Sequence, residues 1–148
     1  MLTKLQRGYL AGILDGEGSV GITRQKRIDR KRKRDYGYRS DVRVTQRRRI
    51  LLSTILEWIG QENGHIGRTG LNNAFFTLRF KSEWLRKNLP KISIHLILKR
   101  RQADLVIDFL GHKTHVGRNG VGADVWSKWD AQYAKCKALN ADRTNSLT

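Results

Sequence analysis

Asp15 and Glu17 are the residues whose placement first suggests chemistry. They close the stretch Leu10-Ala11-Gly12-Ile13-Leu14-Asp15-Gly16-Glu17-Gly18. The apolar run before them reads as a helix buried on more than one side. The last carbonyls of a helix carry partial negative charge, so carboxylates there are unfavourable unless a cation is present. Gly8, Gly12 and Gly16 recur every four residues on one face; Ala11 lies beside it, with Leu10, Ile13 and Leu14 opposite. Interior glycines cost roughly 1 kcal/mol each against alanine. That cost is offset where small residues let a second backbone approach closely. The expected contact between two copies is Gly8, Ala11, Gly12, Asp15 and Gly16; a helix merely rich in glycine is the alternative. A second copy packed along the stripe brings a second Glu17 nearby. Two glutamates and helix-end carbonyls, Gly16 among them, make a hard-oxygen site suited to Mg²⁺ that can also accept Mn²⁺ or Ca²⁺.

Gly16-Glu17-Gly18-Ser19-Val20-Gly21 also matches G-x-G-x-x-G. A dinucleotide loop needs a strand before and a helix after, and here the order is reversed.

The partner of such a site follows from charge. Lys and Arg number 30 against 13 Asp and Glu, a net +17 on 148 residues. This predicts a polyanion. An apolar fraction of 39 % and four Trp argue for a folded core rather than a basic tail. The length suits one domain over 1–148. The single Cys136 excludes an internal disulfide and suits a reducing compartment. No run approaches the ~20 apolar residues of a membrane span, and the first residues lack a signal-peptide core, so an intracellular setting is expected. Organelle, bacterial and phage origins stay open.

The elements that position the acids follow in order. Thr3 caps the first helix, which runs to about Gly16. A strand follows from Ser19 to about Arg27. Val20 and Ile22 face the core, and Thr23, Gln25 and Arg27 face out at period two. Residues 24–34 hold eight Lys or Arg and read as a hairpin tip near phosphates, or as a solvated loop. Tyr38 to Gln46 resumes a strand. Val42 and Val44 face in; Arg39, Asp41 and Arg43 share the other side, where arginine suits guanine and aspartate the cytosine amino group. A cross-strand ion pair is the equal alternative for Asp41. A helix to Ile59 then buries Ile50, Leu51, Leu52, Ile55, Leu56 and Ile59.

Gly64 to Thr69 and Ala74 to Lys81 form a second hairpin. Phe76, Leu78 and Phe80 should be core, with Thr77, Arg79, His65 and Thr69 on the outer face. A short helix from Ser82 stops before Pro90, and a longer one leads from Ile97 to about Leu110. His112 and His115 lie in a glycine-rich linker without cysteine partners, which is not a zinc site. Ala123 to Leu139 forms the last helix, with Trp126, Trp129, Tyr133 and Cys136 as a packing stripe. Residues 140–148 read as a frayed tail. Strands with one polar and one apolar face imply an antiparallel four-stranded sheet with helices on one face, an α+β class.

The Leu10 to Gly18 stretch closely resembles the motif of the LAGLIDADG homing endonucleases, in the single-motif branch that works as a homodimer. The resemblance implies an αββαββα core, a saddle-shaped sheet over DNA, and metal-dependent cleavage of both strands. It maps the family's metal-ligating acid onto Glu17, a Glu where the family has Asp, and its structural acid onto Asp15. Val44-Thr45-Gln46 repeats the family's Val-Thr-Gln, implying that Gln46 orders water near the scissile phosphate. Arg48 is the chosen active-site arginine, with Arg47 and Arg49 as alternatives. Leu98-Lys99 with Gln102-Ala103 and Leu105 resembles the stretch bearing the family's active-site lysine, which maps onto Lys99. The implied partner is double-stranded DNA; intron RNA enters if the fold serves as a maturase, and a non-catalytic regulator of the same fold is the other alternative. A ten-residue strand spans ~33 Å, so two protomers cover ~20 base pairs of a roughly palindromic target.

Overall fold

The computed structural model describes residues 1–26, 36–112 and 122–145, with side chains through 142. Arg27, most of the basic run, and His115 lie outside the described residues. The order is α1 (Lys4–Glu17), β1 (Gly18–Lys26), β2 (Tyr36–Gln46), α2 (Arg49–Ile59), β3 (Gly64–Thr69), β4 (Phe75–Phe80), α3 (Ser82–Ser93), α4 (Arg100–His112) and α5 (Ala123–Asn145). The four strands form one sheet in the order β1-β2-β4-β3, with every neighbour antiparallel. This is the α+β arrangement that the strand alternation implies.

The core lies between the apolar sheet face and the helices. Val20, Val42, Val44 and Leu78 meet Leu10 and Leu14 of α1, Leu52 and Ile55 of α2, and Phe109 of α4. Ile50 is 71 % exposed, contrary to expectation. The buried face of α2 is Leu52, Ile55, Leu56 and Ile59, an i, i+3, i+4, i+7 set that leaves Ile50 off the stripe.

Three element ends differ from the sequence reading. Pro90 sits inside α3, because Leu89 and Ile92 on either side of it are buried and hold the last turn in place. Pro90 forfeits one helical hydrogen bond, and its carbonyl accepts from the Ser93 hydroxyl at 3.0 Å. The helix expected from Ile97 starts at Arg100, since residues 97–99 are held by α1. α5 continues past Leu139 to Asn145 instead of fraying at Asn140, whose side chain meets Gln102 of α4 at 3.5 Å.

Candidate functional site

The geometry of the acids begins at Thr3. Its hydroxyl accepts from the Gln6 amide at 3.1 Å, and the Gln6 side chain accepts from the Thr3 amide at 2.9 Å. This capping box starts α1 as expected. At the other end the chain turns directly into β1 at Gly18. A Cβ there would stand 2.7 Å from the Leu14 Cα, so only glycine permits the turn.

The last turn of α1 has no basic residue of its own. Lys99 supplies the cation instead. Its side chain is buried, the residue being 3 % exposed. Its Nζ donates to the Leu14 carbonyl, to that of Asp15 at 3.0 Å and to that of Gly18 at 2.5 Å. The Asp15 carboxylate answers by accepting from the backbone amides of Ile97 at 2.7 Å and Lys99 at 2.9 Å. Each side chain thus caps the backbone of the other's segment. Glu17, one residue before the turn, remains exposed.

The glycine stripe is open. A Cβ on Gly8, Gly12 or Gly16 would meet nothing within 4 Å. Leu5 and Tyr9 are exposed on the same side, as are Ile97 and Leu98, which the Asp15 bonds bring beside the helix. One expected interface residue is not on this surface. Ala11 is 0 % exposed and packs in the chain's own core, because it lies too far around the helix from the stripe. Asp15 is occupied with residues 97 and 99.

The polar sheet face carries the expected readers in register. Arg43 pairs with Arg79, and Arg79 with His65, so the three form a row across β2, β4 and β3; Ser19 extends it onto β1. Arg43, Arg79 and His65 are wholly or half exposed. Arg39 and Gln25 are neighbours too: with its amide turned, the Gln25 oxygen lies 3.3 Å from the Arg39 guanidinium. Thr69 is half-buried opposite Phe75.

Three expected readers stand lower than period two alone suggests. Thr77 is 5 % exposed and shares a 2.8 Å hydrogen bond with Thr45. Asp41 is 7 % exposed between Arg43 and Arg79, which is the ion-pair alternative. The Thr23 hydroxyl is buried and has no hydrogen-bond partner among the described residues. Thr23 lines a cleft against Tyr133, Lys137 and Asn140 of α5, which lies along the β1 edge and covers this part of the face.

Gln46 ends β2, half-buried, opposite Phe76. Arg48 is the exposed N-cap position of α2 and makes no side-chain capping bond there. Arg47 sits over the Phe75 ring at 5.4 Å. Sequence reasoning missed Arg24 as more than part of a basic run. Its guanidinium lies 5.2 Å from the Tyr36 ring and 5.6 Å from that of Tyr133. Its parity with Ile22 was the signal that it leaves the face expected to read DNA, although the residue stays exposed. Beside it the Tyr38 hydroxyl donates to Asp130, and burial first, then this bond and charge, push its acidity far down.

Among the described residues no three His, Cys, Asp or Glu side chains converge within one chain, and no helix is long and apolar enough to cross a membrane. No family model matches the sequence, and no curated protein matches it. Solved structures do match. I-CvuI, a homing endonuclease in complex with the I-CreI target in the presence of Mg, shares 22 % identity at a TM-score of 0.76, over 92 % of this chain and 82 % of that one. I-Vdi141I, an archaeal intron-encoded homing endonuclease complexed with DNA, shares 17 % at a TM-score of 0.75, over 91 % and 84 %. The homing endonuclease I-TnaI shares 17 % at 0.63, over 95 % and 99 %. The fold is that of the LAGLIDADG homing endonucleases.

Proposed function

We propose that this protein is a site-specific double-strand DNA endonuclease that acts as a homodimer. One observation carries the reading: Asp15 and Lys99 are spent on fixing the end of α1, which leaves Glu17 exposed beside an open glycine stripe. A second copy packed along that stripe brings the two Glu17 carboxylates toward one another at the middle of a combined sheet. Two of the structural neighbours, I-CvuI and I-Vdi141I, are homing endonucleases complexed with DNA, the first in the presence of Mg with its DNA not cleaved.

One exposed carboxylate from each copy, with the Gly16 carbonyl, fits a hard cation that keeps most of its waters and borrows phosphate oxygens. Glu17 of each copy and the Gly16 carbonyl would hold Mg²⁺, which when bound would supply a more acidic water and charge to offset that of the leaving oxygen. The remaining work belongs to this chain. The Lys99–Asp15 clamp fixes the height of Glu17 above the sheet. The Gln46 amide orders the attacking water, and Arg48 offsets phosphate charge. On each strand the water oxygen bonds to phosphorus, one P–O ester bond breaks, and the released sugar oxygen takes a proton from water, leaving a phosphate monoester and a free hydroxyl. Arg39, Arg43, Arg79 and His65 meet base edges and phosphates along the groove.

The test is a randomised duplex library incubated with Mg²⁺. Wild type should cut a discrete subset. Glu17→Gln, nearly isosteric and at an exposed site, should cut at least about 100-fold more slowly while binding the same duplexes. Cleavage by the variant at the wild-type rate would remove Glu17 from the chemistry. Selective binding of an intron RNA without duplex cleavage would establish the maturase instead.

A further inference from the structure

Asp41 is a carboxylate nearly buried in the middle of a cationic face. Its side chain is 8 % exposed, whereas those of Arg43 and Arg79 are 39 % and 45 %. Its two oxygens serve different partners: Oδ2 lies 3.6 Å from Arg43 Nη1, and Oδ1 lies 3.9 Å from Arg79 Nη1. Arg43 and Arg79 are register partners on adjacent strands. Like charges directly opposite across a sheet repel, so without a shared anion these two guanidiniums would swing apart. Asp41 precedes Arg43 by two residues on the same face and stands diagonal to Arg79, the position from which one carboxylate reaches both. Its own register partner is Gly21, whose missing side chain is replaced by Cys136 and Asn140 from α5. The carboxylate is therefore walled in on the β1 side and faced by cations on the other.

Resting on the DNA-endonuclease reading, we propose that Asp41 is a positioning residue that yokes Arg43 and Arg79 into one two-armed reader. It thereby sets the base preference at the pairs they meet without touching a base. A guanidinium has five N–H donors, and the carboxylate pairs with one nitrogen of each by charge, at distances longer than a hydrogen bond. The half-exposed heads keep donors for the two acceptors of a guanine edge, the geometry that distinguishes bases in the major groove. Released from Asp41, the same heads are free to turn to phosphates, which raises attraction for any duplex and lowers discrimination. The two effects have opposite signs, and simple damage to the fold would lower both.

The experiment is selection from a randomised duplex library without divalent metal, read as preference at each base position. The proteins are wild type, Asp41→Asn, the Arg43→Ala/Arg79→Ala double variant, and all three changes together. Asp41→Asn should lower preference by about 10-fold at the positions that the double variant also loses. Its binding to unselected duplex at low salt should stay equal or rise. In the double-variant background Asp41→Asn should change nothing. If it shifts preference there as much as in wild type, Asp41 reads a base itself and the yoke is wrong. An Asp41→Asn profile identical to wild type overturns it as well. Should the asparagine variant fail to fold, Asp41→Glu carries the comparison, since it keeps the charge but displaces both heads and should lower the same preferences. A wild type with no preference for any duplex overturns the endonuclease reading, an outcome distinct from these.

Discussion

Replacing Lys99 by methionine probes the end of α1 directly. Methionine keeps most of the side-chain length and apolar stem but removes the ammonium from the Leu14, Asp15 and Gly18 carbonyls. Leu14 loses least, because its carbonyl also accepts from the Gly18 amide. A buried acceptor deprived of its donor costs roughly 1–3 kcal/mol; the Asp15 and Gly18 bonds are only part-buried, so the two carbonyls together account for the lower part of twice that range, about 2–4 kcal/mol. Loss of a cation from a helix C-terminus adds about 0.5–1 kcal/mol. Relief from burying the charge offsets part of this. A net loss of about 3 kcal/mol is expected, or roughly 6–12 °C in Tm for a chain of this length. Thermal unfolding by circular dichroism at neutral pH measures it. Cleavage assayed well below the new Tm should also fall, since the turn bearing Glu17 loses its anchor, while duplex binding holds. A Tm change under about 2 °C would show that the ammonium does not hold these carbonyls.

Gly12→Ala should split stability from assembly. Its Cβ meets nothing in the monomer, so the dilute protein should gain about 0.5–1 kcal/mol from helix propensity while sedimentation shows weaker self-association; unchanged association would take the stripe out of the interface. Alkaline pH should destabilise the fold. Burial raises both the Tyr38 hydroxyl and the Cys136 thiol above their ordinary values of 10.0 and 9.0, and the Asp130 bond adds to the first. Both groups hold their protons more tightly when folded, so stability is full below about pH 8.5. It falls as pH rises through the unfolded and then the folded values. Urea midpoints should decline between about pH 9 and 11, less steeply in Tyr38→Phe; a flat profile for wild type would contradict the burial of these groups.

Periodicity and local chemistry carried much of this architecture. The capping residues Thr3 and Gln6, the alternation of Val20 with Ile22 and of Val42 with Val44, and the bounds of β3 are all local signals. Pro90 misled because buried neighbours can hold a turn that its ring disfavours. Alternation assigned Asp41, Thr77 and Thr23 to the polar face but could not give their depth. That depends on which neighbours stand beside them, and for Thr23 on a helix more than a hundred residues later. The requirement for a cation at the end of α1 was read from the helix charge and the two acids but assigned to a metal, while Lys99 was expected to act on the phosphate; its buried ammonium lies on the helix-end carbonyls instead. That the cation is Lys99, bound in return by Asp15, depends on a docking that no local pattern encodes.

That reciprocal bond has a temporal side. During synthesis α1, bearing Glu17, emerges well before residues 97–99, whose groups order its end. Most of the chain must be made and collapsed before the acid acquires its place. A nascent or truncated fragment that stops short of Lys99 therefore holds the carboxylate without its setting.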